Sequence, residues 1–157
     1  MQIKIIHRFY ATDSLTSIWD KDTSNICKLC KNGIANILHT FYECPHVITF
    51  WANTQKWLNK LENYQDLTFT NYTVLLGMIP FTFMNCCINH IILYAKHFIH
   101  LQRKHNQIPL FSKFLHSYKY VLITEKELFT LKLKGNMFQS FLGKFFAHVC
   151  STLTSSD

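Results

Sequence analysis

The sequence has few residues that break helices, with four glycines and three prolines among 157 residues. Such scarcity argues against a many-stranded sandwich, which needs frequent turns. The chain also lacks an apolar run near the roughly 20 residues that a membrane span requires. Its opening, MQIKIIHRFY, lacks the apolar core of a secretory signal. We therefore expect an intracellular protein, cytoplasmic or nuclear, that has no membrane partner.

Acidic residues are scarce, with nine Asp and Glu against 16 Lys and Arg, for a formal charge of +7. The excess lies in residues 92–157, which hold nine basic and three acidic residues, whereas residues 1–91 hold seven and six. A basic half attracts polyanions, nucleic acid before anionic lipid. A basic surface without a dedicated partner is the alternative. No catalytic constellation is visible, so we expect neither an enzyme nor a small-molecule substrate.

Three cysteines and one histidine stand at metal-ligand spacing in the first third of the chain. Cys27, Cys30, His39 and Cys44 follow the pattern C-x2-C-x8-H-x4-C. Three thiolates and one imidazole suit a closed tetrahedral zinc site. His39 and Cys44 would lie about 140° apart on a straight α-helix. We expect Pro45 to end that helix, to let its last turn unwind towards the metal, and to begin the next helix.

Other interpretations of these residues stay open. The three thiols could be free core cysteines, which are often buried. His46 is a rival fourth ligand, although it would leave Cys44 unused. A catalytic Cys/His pair has no partner acid placed nearby. The remaining cysteines, Cys86, Cys87 and Cys150, are interpreted as core or tail thiols. The histidines of the longest predicted helix are interpreted as structural residues: His90, His97, His100 and His105.

The rest of the chain predicts a mainly α fold, in which a small zinc-stabilised Cys-Cys-His-Cys module precedes a helical tail. A composition that is 48% hydrophobic supports a real core. We divide the chain into an arm and zinc-binding module (1–62), a linker (63–83) with a short extended piece over 72–78, and a basic helical region (84–157). Apolar residues at helical spacing predict helices over 85–105, 110–122, 125–134 and 137–149, the third starting at a capping box of Thr124 and Glu127.

The stretch CKLCKNGIANILHTFYECPHVITFW resembles the C-terminal zinc-binding segment of LINE-type non-LTR retrotransposon reverse transcriptase polyproteins. The shared features are the four ligands, the run His39–Phe41, Cys44–Pro45 and the following Trp51. The upstream KIIHRFYAT and the downstream Leu75–Gly77 also look similar, so the resemblance covers most of residues 3–147. The polymerase's paired aspartates and the endonuclease are missing, which suggests a C-terminal remnant of a longer element.

The resemblance implies a non-catalytic module with structural Zn²⁺ that binds nucleic acid, the element's RNA first. Tyr42 could stack on bases, while Phe41, Trp51 and Trp57 are expected in the core. The alternatives are a protein-interaction module that docks on a reverse transcriptase polypeptide, or an orphan fragment without a selected role. The expected phosphate contacts are Lys28, Lys31, Lys96, Arg103, Lys104, Lys113, Lys119, Lys132 and Lys134.

Overall fold

The computed structural model describes residues 2–7, 10–60, 66–79, 82–131 and 143–154, and within these ranges the secondary structure is helical apart from one isolated β-bridge. The prediction of a mainly α fold is therefore confirmed. The helices are α1 (Gln2–Ile6), α2 (Asp13–Thr16), a π-helix (His39–Glu43), α3 (Pro45–Leu58), α4 (Asn71–Leu76), α5 (Phe83–Lys104), α6 (Phe111–Leu131) and α7 (Gly143–Thr154).

Helix α5 is the longest element and matches the strongest helical pattern of the sequence. It begins at Thr82, whose hydroxyl accepts a hydrogen bond from the Asn85 backbone N–H at 3.1 Å. Such a cap satisfies one of the free N–H groups at a helix start. The predicted apolar stripe is buried, and full burial of each such side chain stabilises the fold by roughly 1.5–3 kcal/mol. Its members are Ile88, Ile91, Ile92, Ala95, Phe98 and Ile99.

Lys96 lies in this helix but not on its exposed side, where the sequence analysis placed it. Its side chain is only 1% exposed. The ammonium donates to the side-chain oxygen of Gln2 and to the carbonyl of Leu75, the latter at 3.2 Å. Burial lowers the pKa of Lys96 to about 8. The prediction that Lys96 contacts phosphates is therefore wrong: this lysine links α1 and the end of α4 to α5.

Helix α6 runs without a break from Phe111 to Leu131, where the sequence analysis predicted two helices. The expected capping box at Thr124 does not form. Instead, the Thr124 hydroxyl donates to the Tyr120 carbonyl one turn earlier, at 3.0 Å. This bond is the other common use of a threonine hydroxyl, inside a helix rather than at its start. The described part of the last predicted helix, 143–149, is helical and belongs to α7, whereas its residues 137–142 lie outside the described ranges.

The region predicted as a linker contains the short helix α4, so the extended piece expected over 72–78 is wrong. A reciprocal capping box starts this helix. The Thr73 N–H donates to the Thr70 hydroxyl at 3.3 Å, and the Thr70 N–H donates to the Thr73 hydroxyl at 2.8 Å. Gly77 ends it at a φ of 100°, a conformation that favours glycine. Two threonines three residues apart were the missed signal.

A single hydrophobic cluster contains buried residues from Ile5 to Val149. Its centre is a group of aromatic rings on α3, α5 and α6. The ring of Phe114 lies 5.2 Å from that of Phe50 and 5.7 Å from that of Phe98, both edge to face. The Trp57 ring stacks on His148 of α7 at 4.9 Å. The segment that carries the cysteines and the later helices thus pack on a shared core.

Candidate metal centre

The first ligand pair lies in a tight hairpin. Ile26 and Ile34 form the isolated antiparallel bridge, and the Cys27 N–H donates to the Gly33 carbonyl at 2.7 Å. Between them the chain turns back, with the Lys31 N–H donating to the Cys27 carbonyl at 2.9 Å. Lys31 has a φ of 59°, in the left-handed region. This turn brings the sulfurs of Cys27 and Cys30 to one side of the hairpin.

The second ligand pair is joined by the π-helix, not by an unwound α-helical turn. The Cys44 N–H donates to the His39 carbonyl, five residues back, at 3.0 Å. The wider turn of an i→i+5 bond returns residue 44 to the side of residue 39, which an α-helix would not do. Pro45 then begins α3, as predicted. The expected convergence of His39 and Cys44 is present, but its mechanism is a widened helical turn.

The four predicted ligands form one cluster, in which all ligand atoms lie within 4.8 Å of one another. The Cys27 and Cys44 sulfurs are 3.9 Å apart, and the Cys30 sulfur is 3.3 Å from Nε2 of His39. Tetrahedral zinc with Zn–S bonds of about 2.3 Å separates two sulfurs by about 3.8 Å, and sulfur from nitrogen by about 3.6 Å. The cluster is therefore compact enough to hold a metal ion without rearrangement of the backbone.

His46, the rival ligand, is half-buried and does not belong to this group in the part of the chain that the structure describes. The other cysteines also stand apart from it. Gly33 shows how closely the cluster is packed. A Cβ added to this glycine would lie 2.5 Å from Cε1 of His39, closer than side chains tolerate. The His39 ring thus occupies space that is open because residue 33 has no side chain.

Polar N–H groups point at two of the sulfurs. Burial opposes ionisation of Cys27, but hydrogen bonds from the Cys30 backbone, the Arg103 guanidinium and the Leu29 backbone lower the pKa of its thiol to about 6. Burial and the nearby negative charge of Cys27 raise the pKa of Cys44 to about 12, although the His46 backbone N–H opposes this rise. Cys27 therefore loses its proton more readily than Cys44. A bound cation would favour the other thiolates as well.

Arg103 is the functional residue whose role the sequence analysis missed. It was predicted to contact phosphates, but its side chain is 10% exposed and its Nη1 lies 3.3 Å from the Cys27 sulfur. Its Nη2 forms an ion pair with Asp13 at 3.5 Å. One signal was present in the sequence, because Arg103 follows Ile99 by four residues and so continues the buried stripe of α5. Its guanidinium places a positive charge beside the cluster.

No family model matches the chain. No solved structure matches it either. The assignment of the four ligands therefore depends on their geometry, and the resemblance to retrotransposon segments stays a prediction.

The remaining predicted phosphate contacts divide by exposure. Lys28 is half-exposed and forms an ion pair with Asp13 at 3.2 Å. Three others are exposed, Lys119 is half-buried, and two lie in residues that the structure does not describe. The exposed residues are Lys31, Lys104 and Lys113, and those outside the described ranges are Lys132 and Lys134.

The aromatic residues near the cluster face inward. Phe41, Trp51 and Trp57 are buried, as predicted for core residues. The Trp51 ring N–H donates to the Phe41 carbonyl at 2.7 Å. Tyr42 is half-buried, and its hydroxyl donates to the Phe69 carbonyl at 3.1 Å, which restricts its use as a stacking platform. Among the described helices, none combines the length and hydropathy needed to cross a membrane.

Proposed function

We propose that the chain is a non-catalytic module of retrotransposon origin, built around a structural Zn²⁺ held by Cys27, Cys30, His39 and Cys44. The observation that carries the zinc assignment is the approach of all four ligand atoms to within 4.8 Å of one another. Four protein ligands fill a tetrahedral shell and leave no open position for a substrate, which is typical of structural sites. Sulfur and imidazole ligands also favour zinc over magnesium or calcium.

Local charge supports the same assignment. Three thiolates, a neutral imidazole and Zn²⁺ together carry a net charge of −1. The Arg103 guanidinium, 3.3 Å from the Cys27 sulfur, would compensate that charge with a direct hydrogen bond. Such partners outside the ligand shell commonly change metal affinity about 10–100-fold when they are removed. The backbone of the hairpin is held by one β-bridge and a few turn hydrogen bonds, so we expect it to need the metal.

Metal analysis of the purified full chain tests the zinc assignment. We expect about one zinc per chain in the native protein, and loss of most of that zinc in Cys27→Ser and Cys44→Ser. Cys150→Ser is the matched control, because Cys150 is a half-buried thiol of α7 outside the cluster. Equal zinc in the native protein and in both cluster variants would overturn the assignment.

The partner that we propose is nucleic acid, with RNA first. The formal charge of +7 and the exposed side chains of Lys31, Lys104 and Lys113 support it, together with the resemblance to retrotransposon segments. Contacts of this kind release counterions, so the logarithm of the affinity falls linearly with the logarithm of the salt concentration. We expect such a fall for single-stranded RNA. Affinity that does not change with salt would remove nucleic acid from the function.

Docking on a reverse transcriptase polypeptide is a second candidate, because α1 and α4 contact each other and both expose apolar side chains. Charge reversal at Lys104 and Lys113 separates the candidates. Loss of RNA affinity would support nucleic-acid binding, and unchanged RNA affinity would favour docking. The exposed apolar residues on or next to these two helices are Ile3, Ile6, Tyr72, Leu76 and Ile79.

A further inference from the structure

A basic recess lies beside the metal centre, on the side of Arg103. Its volume is about 270 Å³. Four segments form it: the stretch that leads into α2, the tip of the cysteine hairpin, the π-helix, and the end of α5 with Asn106 just beyond it. The lining of this basic recess includes Asp13, Lys28, Thr40, His100, Arg103 and Lys104.

Positive charge dominates the basic recess. Lys28, Arg103 and Lys104 line it, and Asp13 is the one acidic residue among its described lining residues. Asp13 is shared, since its two carboxylate oxygens lie 3.2 Å from the Lys28 ammonium and 3.5 Å from the Arg103 guanidinium. Asp13 and the net charge of −1 on a zinc-loaded cluster would together neutralise two of these three cations. The recess therefore keeps a surplus of positive charge that an anion would balance.

His100 reports the same positive potential. Burial is the main cause that lowers the pKa of His100, and the charges of His97, Lys104, Arg103 and Lys4 lower it further. The cationic side chains of Lys104, Arg103 and Lys4 thus act on one imidazole. An anion in the recess would relieve this repulsion.

Thr40 supplies a polar group without a partner in the wall of the recess. Its side chain is 1% exposed, and its hydroxyl oxygen has no hydrogen-bond partner among the described residues. An unsatisfied buried hydroxyl costs about 1–3 kcal/mol, so most buried hydroxyls are paired. Because Thr40 lines the recess, an oxygen anion seated against it would give this hydroxyl the acceptor that it lacks. The unpaired hydroxyl is an observation separate from the positive charges, and it also favours an oxygen anion as the ligand.

We propose that the basic recess binds one phosphate group, which a nucleic acid strand would supply. The volume suits a phosphate with part of a sugar, because pockets for whole drug-sized ligands measure roughly 300–1,000 Å³. Lys28 and Lys104 supply charge, Thr40 a donor, and Arg103 a link to the metal cluster through Cys27. The strand as the source depends on the proposed function, whereas the phosphate site itself does not.

Nuclear magnetic resonance on the zinc-loaded full chain tests the phosphate site directly. We expect inorganic phosphate at millimolar concentration to shift the resonances of Thr40, His100 and Lys104, and sodium chloride at equal ionic strength not to shift them. Thr40→Val should weaken this response several-fold without loss of stability, because it removes an unpaired hydroxyl and keeps the side-chain shape. Identical responses to phosphate and chloride would overturn the proposal.

RNA titrations then identify the source of the phosphate. For a short single-stranded RNA, loss of one phosphate contact lowers the slope of log affinity against log salt by about 0.7. We expect that decrease in Lys104→Gln but not in Lys126→Gln, because Lys126 is an exposed lysine of α6 that is not among the lining residues. If phosphate shifts the recess resonances but Lys104→Gln leaves RNA binding unchanged, the phosphate site stands and the strand as its source is wrong. Absence of RNA binding by the native chain would refute the proposed partner alone.

Discussion

The cysteine hairpin with its π-helix, residues 25–44, and the pair α5–α6 are organised by different forces. In the first region, one β-bridge and a few turn hydrogen bonds surround four potential ligands. In the second, apolar stripes of two long helices pack on aromatic rings of the shared core. The first region also contributes Ala35 and Phe41 to that core, but its turns depend on the chemistry of individual residues, whereas the second region depends on the summed burial of many. Single substitutions should therefore act through metal binding in the first region and through packing in the second.

Removal of the metal should have the largest effect, and it should be local. Structural zinc contributes on the order of 10–16 kcal/mol in finger peptides. We expect a strong chelator to abolish amide hydrogen-exchange protection over residues 25–44, while α5 and α6 keep much of theirs because their apolar contacts need no metal. Hydrogen exchange with peptide-level resolution measures this. An equal loss of protection in both regions would show that they form one cooperative unit.

Phe114→Ala tests the opposite region. The Phe114 side chain is fully buried and lies against Phe50, Phe98 and the stacked Tyr118. Replacement of such a ring by a methyl group costs about 3–5 kcal/mol through lost burial and a residual cavity. Urea unfolding should show this loss, while the folded fraction still contains one zinc per chain. Tyr120→Ala is the matched control on the same helix, because Tyr120 is 69% exposed and should cost little.

The same difference explains how much could be predicted from sequence. The four clustered residues could be predicted because thiols and imidazoles at set spacing are recognisable one by one, and the buried face of α5 because its period is regular. The π-helix was not predicted. Its hydrogen bond from the Cys44 N–H to the His39 carbonyl depends on where the two side chains must meet in the folded chain, and residue types alone do not indicate it. The burial of Lys96 and Arg103 was missed because residue type alone favours solvent. Both side chains are nevertheless buried, because they lie on the inward side of α5.

Gly33→Ala should weaken metal binding with little effect on the helical core. The new Cβ would lie 2.5 Å from Cε1 of His39, so the ring must move away from its position near the Cys30 sulfur. We expect zinc affinity to fall about 10–100-fold, the range typical for loss of a group that orients a ligand. Competition with a chromophoric chelator measures it. Asn32→Ala, one residue earlier on the exposed turn, is the control, and an equal decrease in both variants would contradict the steric explanation.

Lys31→Gly should have the smallest effect and the opposite sign. Lys31 has a φ of 59°, where a side chain costs about 1–2 kcal/mol because Cβ crowds the following carbonyl. Glycine removes this strain but increases the flexibility of the unfolded chain, which opposes folding by about 0.4–1 kcal/mol. We therefore expect a net gain between about 0 and 1.6 kcal/mol, read as a small rise in the chelator concentration needed for half-unfolding. Asn106 has a similar φ of 53°, but asparagine tolerates this region. Asn106→Gly should therefore raise the free energy of unfolding less than Lys31→Gly does. A larger rise at residue 106 would show that strain at Lys31 in the hairpin turn is already relieved.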